Sequence, residues 1–258
     1  MERFKLWEKE LDNAVTIDYY KPLQKSNGVA LIIFPGGGYR CLANHEGEGY
    51  AHLLNTFGIT SFVVNYRVAP NRFPCPLLDA RRSVRFVRAN AEKFGINKNK
   101  VLVMGSSAGG HLTALLCTYL EDIGEEHDEL YQEDFLPNGQ ILCYPVISSD
   151  ESIYHQGSYE NLLSGLYKDK EKYSPDLLVN STTPPAFVWH TAEDCVVPCV
   201  NSYRYADALW KQKIPCELHV FPEGIHGLGV APQDPHVAQW VILLNNWLKD
   251  FFIFNNKV

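Results

Sequence analysis

The sequence predicts an α/β protein in which a mostly parallel sheet is covered by helices. Short, continuous apolar runs recur, such as "VALIIF" (29–34) and "VLVMG" (101–105), and they read as strands buried on both faces. Between them lie stretches with apolar residues at helical spacing, as in "PLLDARRSVRFVRANAEKFG" (76–95). The two kinds of segment alternate along the chain, which is the pattern of strands joined by helical crossovers.

The elements are expected in the following order. "AVTIDYY" (14–20) alternates apolar and polar residues like a half-exposed strand. The strand 29–34 stops at Pro35 and three glycines. "AHLLNTFG" falls in a helix ending at Gly58, and "ITSFVVNY" (59–66) is a buried strand. Residues 76–95 place Leu77, Ala80, Val84, Val87, Ala91 and Phe94 on one helical face, with Gly95 as the stop. The strand "VLVMG" leads into a helix from Ala108 onward. "QILCYPVI" (140–147), "PAFVWH" (185–190) and "CELHVF" (216–221) are strands, and 201–212 and 236–252 are helices. The polar, aromatic-rich stretch at about 148–184 breaks the alternation. It is too short for a core of its own and reads as a cap-like insertion carrying a short helix or two, within a single domain spanning 1–258.

Composition narrows the function. Hydrophobic residues make up 46% of the 258 residues, enough for a sizeable core. A net charge of −7 with no basic patch disfavours a nucleic-acid partner. The longest apolar runs are too short to span a membrane, and "MERFKLWEKELDN" has no apolar core followed by a cleavage site. Seven scattered cysteines (Cys41, Cys75, Cys117, Cys143, Cys195, Cys199 and Cys216) read as reduced thiols, so a cytoplasmic location is expected. Their spacing and that of the histidines form no metal motif. Cys195 and Cys199, the closest pair, read as packing residues at a loop–helix junction. A homo-oligomer is left open.

Gly105-Ser106-Ser107-Ala108-Gly109 fits G-x-S-x-G between a strand and a helix. Such a turn holds its central residue in a tight conformation and presents that hydroxyl, here of Ser107, at the carboxyl end of the sheet. The helix behind it offers free N–H groups and a positive dipole end to a developing oxyanion. Neither G-x-G-x-x-G nor G-x-x-x-x-G-K is present, so a phosphate loop is disfavoured. "FPGGGYR" (34–40) follows an early strand, so the Gly37 and Gly38 region supplies backbone N–H to an oxyanion hole together with Ala108.

A serine nucleophile needs a base, and the base an orienting acid, in the order Ser, acid, His. Asp194 in "FVWHTAEDCVVP" and His226 in "VFPEGIHGLG" follow strands and fit those roles. Glu193 is the rival acid and is read as a solvated neighbour. His111 and His190 are given packing or supporting roles. His45, His52, His127 and His236 have no strand-end context, His155 is in the insertion, and His219 is within a strand.

The segments "PGGGY", "HEGEGYAHLLNTFGITSFVVNYRV", "VMGSSAGGHL", "LCYPVI", "HQGSYENLL", "TPPAFVWHTAEDCVVPCVNS" and "ELHVFPEGIHGLG" resemble the α/β-hydrolase superfamily. More closely, they resemble intracellular bacterial acetyl-xylan esterase and carbohydrate-esterase-like proteins, often labelled lipase/esterase or dienelactone-hydrolase-like. The likeness runs from about residue 29 to 230. It implies Ser107 as nucleophile, Asp194 as acid, His226 as base, and Gly37, Gly38 and Ala108 as oxyanion donors. Ser106 departs from the pattern, since an aromatic is frequent there. The expected activity is hydrolysis of short-acyl esters, above all acetyl esters of small carbohydrates, with no cofactor or metal. Tyr154, Tyr159 and Tyr167 are candidates for stacking on sugars, with surface packing an equal account. An amidase or peptidase on the same fold, such as an arylformamidase or dipeptidyl-peptidase-like enzyme, and a non-catalytic binding protein are the alternatives.

Overall fold

A computed structural model describes residues 1–8 and 15–254, with the side chains of 252–254 left aside. Eight strands form one sheet: β1 (Glu2–Lys5), β2 (Thr16–Tyr20), β3 (Ala30–Phe34), β4 (Thr60–Asn65), β5 (Val101–Ser106), β6 (Gly139–Cys143), β7 (Ala186–Thr191) and β8 (Cys216–Phe221). Their spatial order is β1-β2-β4-β3-β5-β6-β7-β8. From β4 to β8 all neighbours are parallel, while β1, β2 and β4 pair antiparallel. The central strands are buried along their whole length, as their unbroken apolar runs require.

The helices are α1 (Glu48–Asn55), α2 (Cys75–Ala89), α3 (Ala91–Phe94), α4 (Ala108–Thr118), α5 (Gln156–Leu163), α6 (Pro175–Leu178), α7 (Val200–Lys211) and α8 (Trp240–Phe254). One face of the sheet packs Ile32, Phe34 and Val103 with Leu77 and Val84 of α2 and Leu112 of α4. Leu142 and Val188 continue that packing with Tyr205 and Leu209 of α7. The other face packs Leu31, Ile33, Met104 and Trp189 with Leu54 of α1 and Trp240 of α8. Successive residues of each strand thus serve opposite layers. Among the described residues no helix is long and apolar enough to cross a membrane.

Several boundaries differ from the sequence expectation. Strand β1 was not foreseen, because four residues with one partly buried side chain carry no periodic signal. The expected strand 14–20 begins at Thr16, and its residue Ala14 lies outside the described residues. The helix expected over 76–95 is two, because Asn90 leaves helical geometry (φ −103°, ψ 20°) while its side-chain amide donates to the Phe86 carbonyl. Gly95 ends α3 in the left-handed region (φ 64°). The strand expected over 140–147 stops at Cys143, since Tyr144 turns to φ 37° and Pro145 has no N–H for a ladder. Cys199 lies half-buried just before α7, but Cys195 is exposed and packs in no core.

Candidate active site

Strand β5 runs straight into α4 with Ser107 alone between them. Ser107 has φ 53° and ψ −119°, a conformation that non-glycine residues rarely adopt. Three backbone bonds hold it there: its N–H donates to the Cys143 carbonyl, and its own carbonyl accepts from the N–H groups of His111 and Val146, each at 3.0 Å. The glycines make the turn feasible by sterics. A Cβ on Gly109 would lie 2.0 Å from the Phe34 carbonyl oxygen, and one on Gly105 would lie 2.1 Å from that of Gly109. The helix therefore packs on the strand ends at a distance that only glycine allows.

His226, in the loop after β8, places Nε2 2.8 Å from Ser107 Oγ. Its Nδ1 lies 2.6 Å from Oδ2 of Asp194, in the loop after β7. The amides of Val196 and Val197 both donate to Asp194 Oδ1 at 2.9 Å. Burial pushes the Asp194 carboxyl upward, but hydrogen bonds from His190, His226 and the Val197 amide outweigh it. They hold the group below the usual carboxylate range. An ionised Asp194 accepts at Nδ1 and leaves Nε2 of His226 free to accept the serine proton. Glu193 points elsewhere: it is exposed, and its carboxylate accepts from Gly224 N–H.

Gly37 and Gly38 follow β3 and line the same cavity as Ser107 and His226. Both glycines have positive φ (125° and 65°). Among the described residues neither N–H donates a hydrogen bond, and Ala108, first residue of α4, has no carbonyl one helical turn back to donate to. The six residues expected at the site are therefore gathered at the carboxyl ends of β3, β5, β7 and β8. The cavity holds about 470 Å³, within the range of small-molecule sites.

The insertion reaches the cavity through His155, Gly157 and Asn161, and the Asn161 amide donates to the Gly38 carbonyl at 2.9 Å. Its tyrosines do not line that cavity. Tyr159 is wholly buried with its hydroxyl on the Ile147 carbonyl, and Tyr154 and Tyr167 bond to each other and pack against the same core. Packing, not sugar stacking, accounts for them.

Two histidines given supporting roles have them. His111 bridges the Tyr39 hydroxyl and the Tyr173 carbonyl, and His190 braces Asp194. Sequence reasoning passed over His45, Glu46 and His155, which all line the cavity. For the first two the signal was "HEGEGY" itself, a buried acid placed between the glycine loop and a helix.

A serine on a sharp strand–helix turn, with histidine and aspartate from later loops of a mostly parallel sheet, defines the α/β-hydrolase fold class. The BD-FAE family profile matches residues 17–209, and the chain belongs to that family. The match includes Ser107 and Asp194, and His226 lies beyond it. An acetylxylan esterase of Xylanibacter ruminicola is 37% identical over 88% of this chain and 46% of its own length. An endo-1,4-beta-xylanase B of Butyrivibrio fibrisolvens is 38% identical over 81% of this chain and 34% of its own. The chain thus spans less than half the length of these two relatives. The crystal structure of an acetyl ester-xyloside bifunctional hydrolase from Caldicellulosiruptor lactoaceticus superposes with a TM-score of 0.87. It is 38% identical, with 96% of each chain covered.

Proposed function

We propose that this chain is a serine carboxylesterase that removes short acyl groups, above all acetyl, from small carbohydrates. The observation that carries the reading is the unbroken chain from Ser107 Oγ to His226 Nε2 (2.8 Å) and from His226 Nδ1 to Asp194 Oδ2 (2.6 Å), beside the Gly37 and Gly38 amides, which donate to no group among the described residues. Relatives named for acetylxylan and acetyl-ester hydrolysis support the acyl group and the sugar.

Ser107 Oγ attacks the ester carbonyl carbon while His226 Nε2 takes its proton. The amides of Gly37, Gly38 and Ala108 receive the oxyanion. The protonated imidazole then gives its proton to the leaving alcohol, and an acyl-serine remains. Water, deprotonated by the same nitrogen, releases the acid and restores Ser107. Asp194 fixes the imidazole's tautomer and stabilises its charged form. The seven free thiols accord with a cytoplasmic setting as part of this proposal.

The test is labelling by a fluorophosphonate probe, followed by turnover of acetylated xylo-oligosaccharides beside matched amides. Labelling lost in Ser107→Ala, with acetate released by the parent, is the expected result. Amide turnover exceeding ester turnover would replace the esterase with an amidase, and no labelling at all would remove the serine mechanism.

A further inference from the structure

Hydrolysis as proposed gives no role to residues 45–50, yet three side chains of this short segment reach three separate parts of the site. Glu46 is 3% exposed, and its two carboxylate oxygens are both used. Oε2 accepts from Gly36 N–H at 2.8 Å, and Oε1 accepts from the Tyr144 hydroxyl at 2.8 Å. The Tyr144 oxygen in turn accepts from Gly229 N–H at 2.9 Å, three residues beyond His226. The Tyr50 hydroxyl lies 3.1 Å from that of Tyr144 and 2.8 Å from Oγ of Ser106, the residue before Ser107. His45 Nε2 lies 2.9 Å from the carbonyl oxygen of Gly227, the residue after His226.

We infer that Glu46 is a positioning residue, which with Tyr144 clamps the glycine loop, the Ser107 turn and the His226 loop into one catalytic geometry. The inference rests on the serine-esterase reading above.

A carboxylate taken out of water is expensive unless its lone pairs are filled, and here they are filled by groups belonging to different loops. The Gly36 amide it holds immediately precedes Gly37 and Gly38. Gly36 is also fitted closely: a Cβ there would lie 2.5 Å from Glu46 Oε2 and 3.0 Å from Ser107 Cβ. A shift of this peptide therefore moves the amides proposed to receive the oxyanion relative to the serine. Tyr144 extends the same restraint to the His226 loop through Gly229. A device of this kind acts on the transition state, where the oxyanion forms, more than on substrate binding.

The experiment compares Glu46→Ala, Glu46→Gln and Tyr144→Phe with the parent, all rates being expressed per active site titrated with the fluorophosphonate. Glutamine keeps an acceptor for Gly36 N–H and should retain much of the activity, whereas alanine should lower kcat on the order of 10²-fold, as loss of one oxyanion donor does. KM should stay within about twofold, and affinity for a boronic acid that adds to the serine should fall with kcat/KM. Glu46→Ala and Tyr144→Phe combined should lose less than the product of the single losses, since both break one network. Parent-level kcat per titrated site, with only a smaller active fraction or a lower melting temperature, would overturn the inference. So would a rise in KM at constant kcat. If Glu46→Ala does not fold, Tyr144→Phe, which should lower kcat at constant KM, decides on the same readouts. Labelling of Ser107→Ala at the parent's rate would instead overturn the nucleophile assignment on which the clamp depends.

Discussion

Asp194 Oδ2 lies 3.2 Å from Nε2 of His190, a fully buried histidine on the last turn of strand β7 before the acid loop. The same nitrogen lies 2.9 Å from the Val197 carbonyl oxygen, and Nδ1 lies 2.7 Å from the Ser202 hydroxyl. With a carbonyl and a carboxylate as its neighbours, Nε2 carries the proton, and Nδ1 accepts from serine. His190 thus braces both the carboxylate and the backbone turn that feeds two amides to it. His226 contacts the same oxygen from the other side, at 2.6 Å.

The acid assignment is tested by exchanging one atom at each of two adjacent residues. Asp194→Asn should lower kcat roughly 10⁴-fold, because an amide at that position favours the wrong imidazole tautomer. Glu193→Gln should be near the parent, since its carboxylate is exposed. The reverse order of losses would move the acid by one residue. His190→Ala removes a donor to Asp194 without touching His226. A drop in kcat of about tenfold, with the tautomer-sensitive Asp194→Asn value unchanged by the second substitution, is the expected pattern.

Ser107 and Ser106 are neighbours with different fates. Ser107 Oγ faces His226, whereas Ser106 is wholly buried and bonded to Tyr50. Ser107→Ala should cost on the order of 10⁶ in kcat, the scale of a dismantled triad. Ser106→Ala should cost far less. Steady-state rates on 4-nitrophenyl acetate distinguish the two, and equal losses would leave the nucleophile unassigned between them.

The parts of this protein that were legible in the sequence are those with a repeating or local signal. The apolar runs of β3, β5 and β7 announced two-sided burial, and the G-x-S-x-G pattern announced the strand–helix turn at Ser107 because it is contained in five consecutive residues. Asp194 and His226 were legible through order and loop position. What stayed hidden depends on contacts distant in sequence. The Glu46–Tyr144 bond joins residues 98 apart, and no local pattern marks a tyrosine as its partner. Strand β1 forms because β2 offers it an edge, which its own four residues do not reveal. The insertion tyrosines stayed open between stacking and packing for the same reason: aromatic side chains in a polar stretch look exposed until α5 is seen to pack Tyr159 inward.

The pH dependence of stability should carry a signature of His111. Burial lowers its pKa from 6.5 to about 4, against a smaller opposing pull from the Tyr173 carbonyl. Between those values the unfolded chain binds the proton and the folded chain does not, so stability rises with pH. The contribution is complete above 6.5 and is lost as pH falls toward 4, by roughly 3 kcal/mol at about 1.4 kcal/mol per unit. Urea unfolding at pH 7 and pH 4.5 should show a smaller acid loss in His111→Gln than in the parent. Equal losses would mean that another group carries the effect.

Asp79 secures Trp7, which follows β1. It is fully buried, and it accepts from Trp7 Nε1 at 2.8 Å and from the Arg67 guanidinium at 2.7 Å. Asp79→Ala deletes these acceptors together and should destabilise the fold by about 3 to 5 kcal/mol, the usual cost of breaking a buried ion pair from one side. Asp79→Asn keeps an acceptor and should cost less. Thermal unfolding measures both, and a change below about 1 kcal/mol in Asp79→Ala would show that this pair is not what anchors Trp7.

Acyl-chain length is the sharpest test of the substrate. The side chains around the cavity beside Ser107 include Arg40, Cys41, His45, Glu46, His155 and Asn161, with the glycine loop. The aliphatic side chains among the lining are Ala43 and Val196, with Val196 itself half-exposed. Each methylene that leaves water for an apolar wall contributes up to ~0.8 kcal/mol, which would raise kcat/KM several-fold per carbon in a long-chain enzyme. Here the aliphatic side chains at the cavity are few and one of them is half-exposed, so added methylenes gain little. The value of kcat/KM should therefore be highest for 4-nitrophenyl acetate or propionate and fall through butyrate, octanoate and palmitate. A maximum at octanoate or longer would refute the short-acyl reading. High activity on 4-nitrophenyl acetate with no release of acetate from acetylated xylo-oligosaccharides would keep the esterase and remove the carbohydrate.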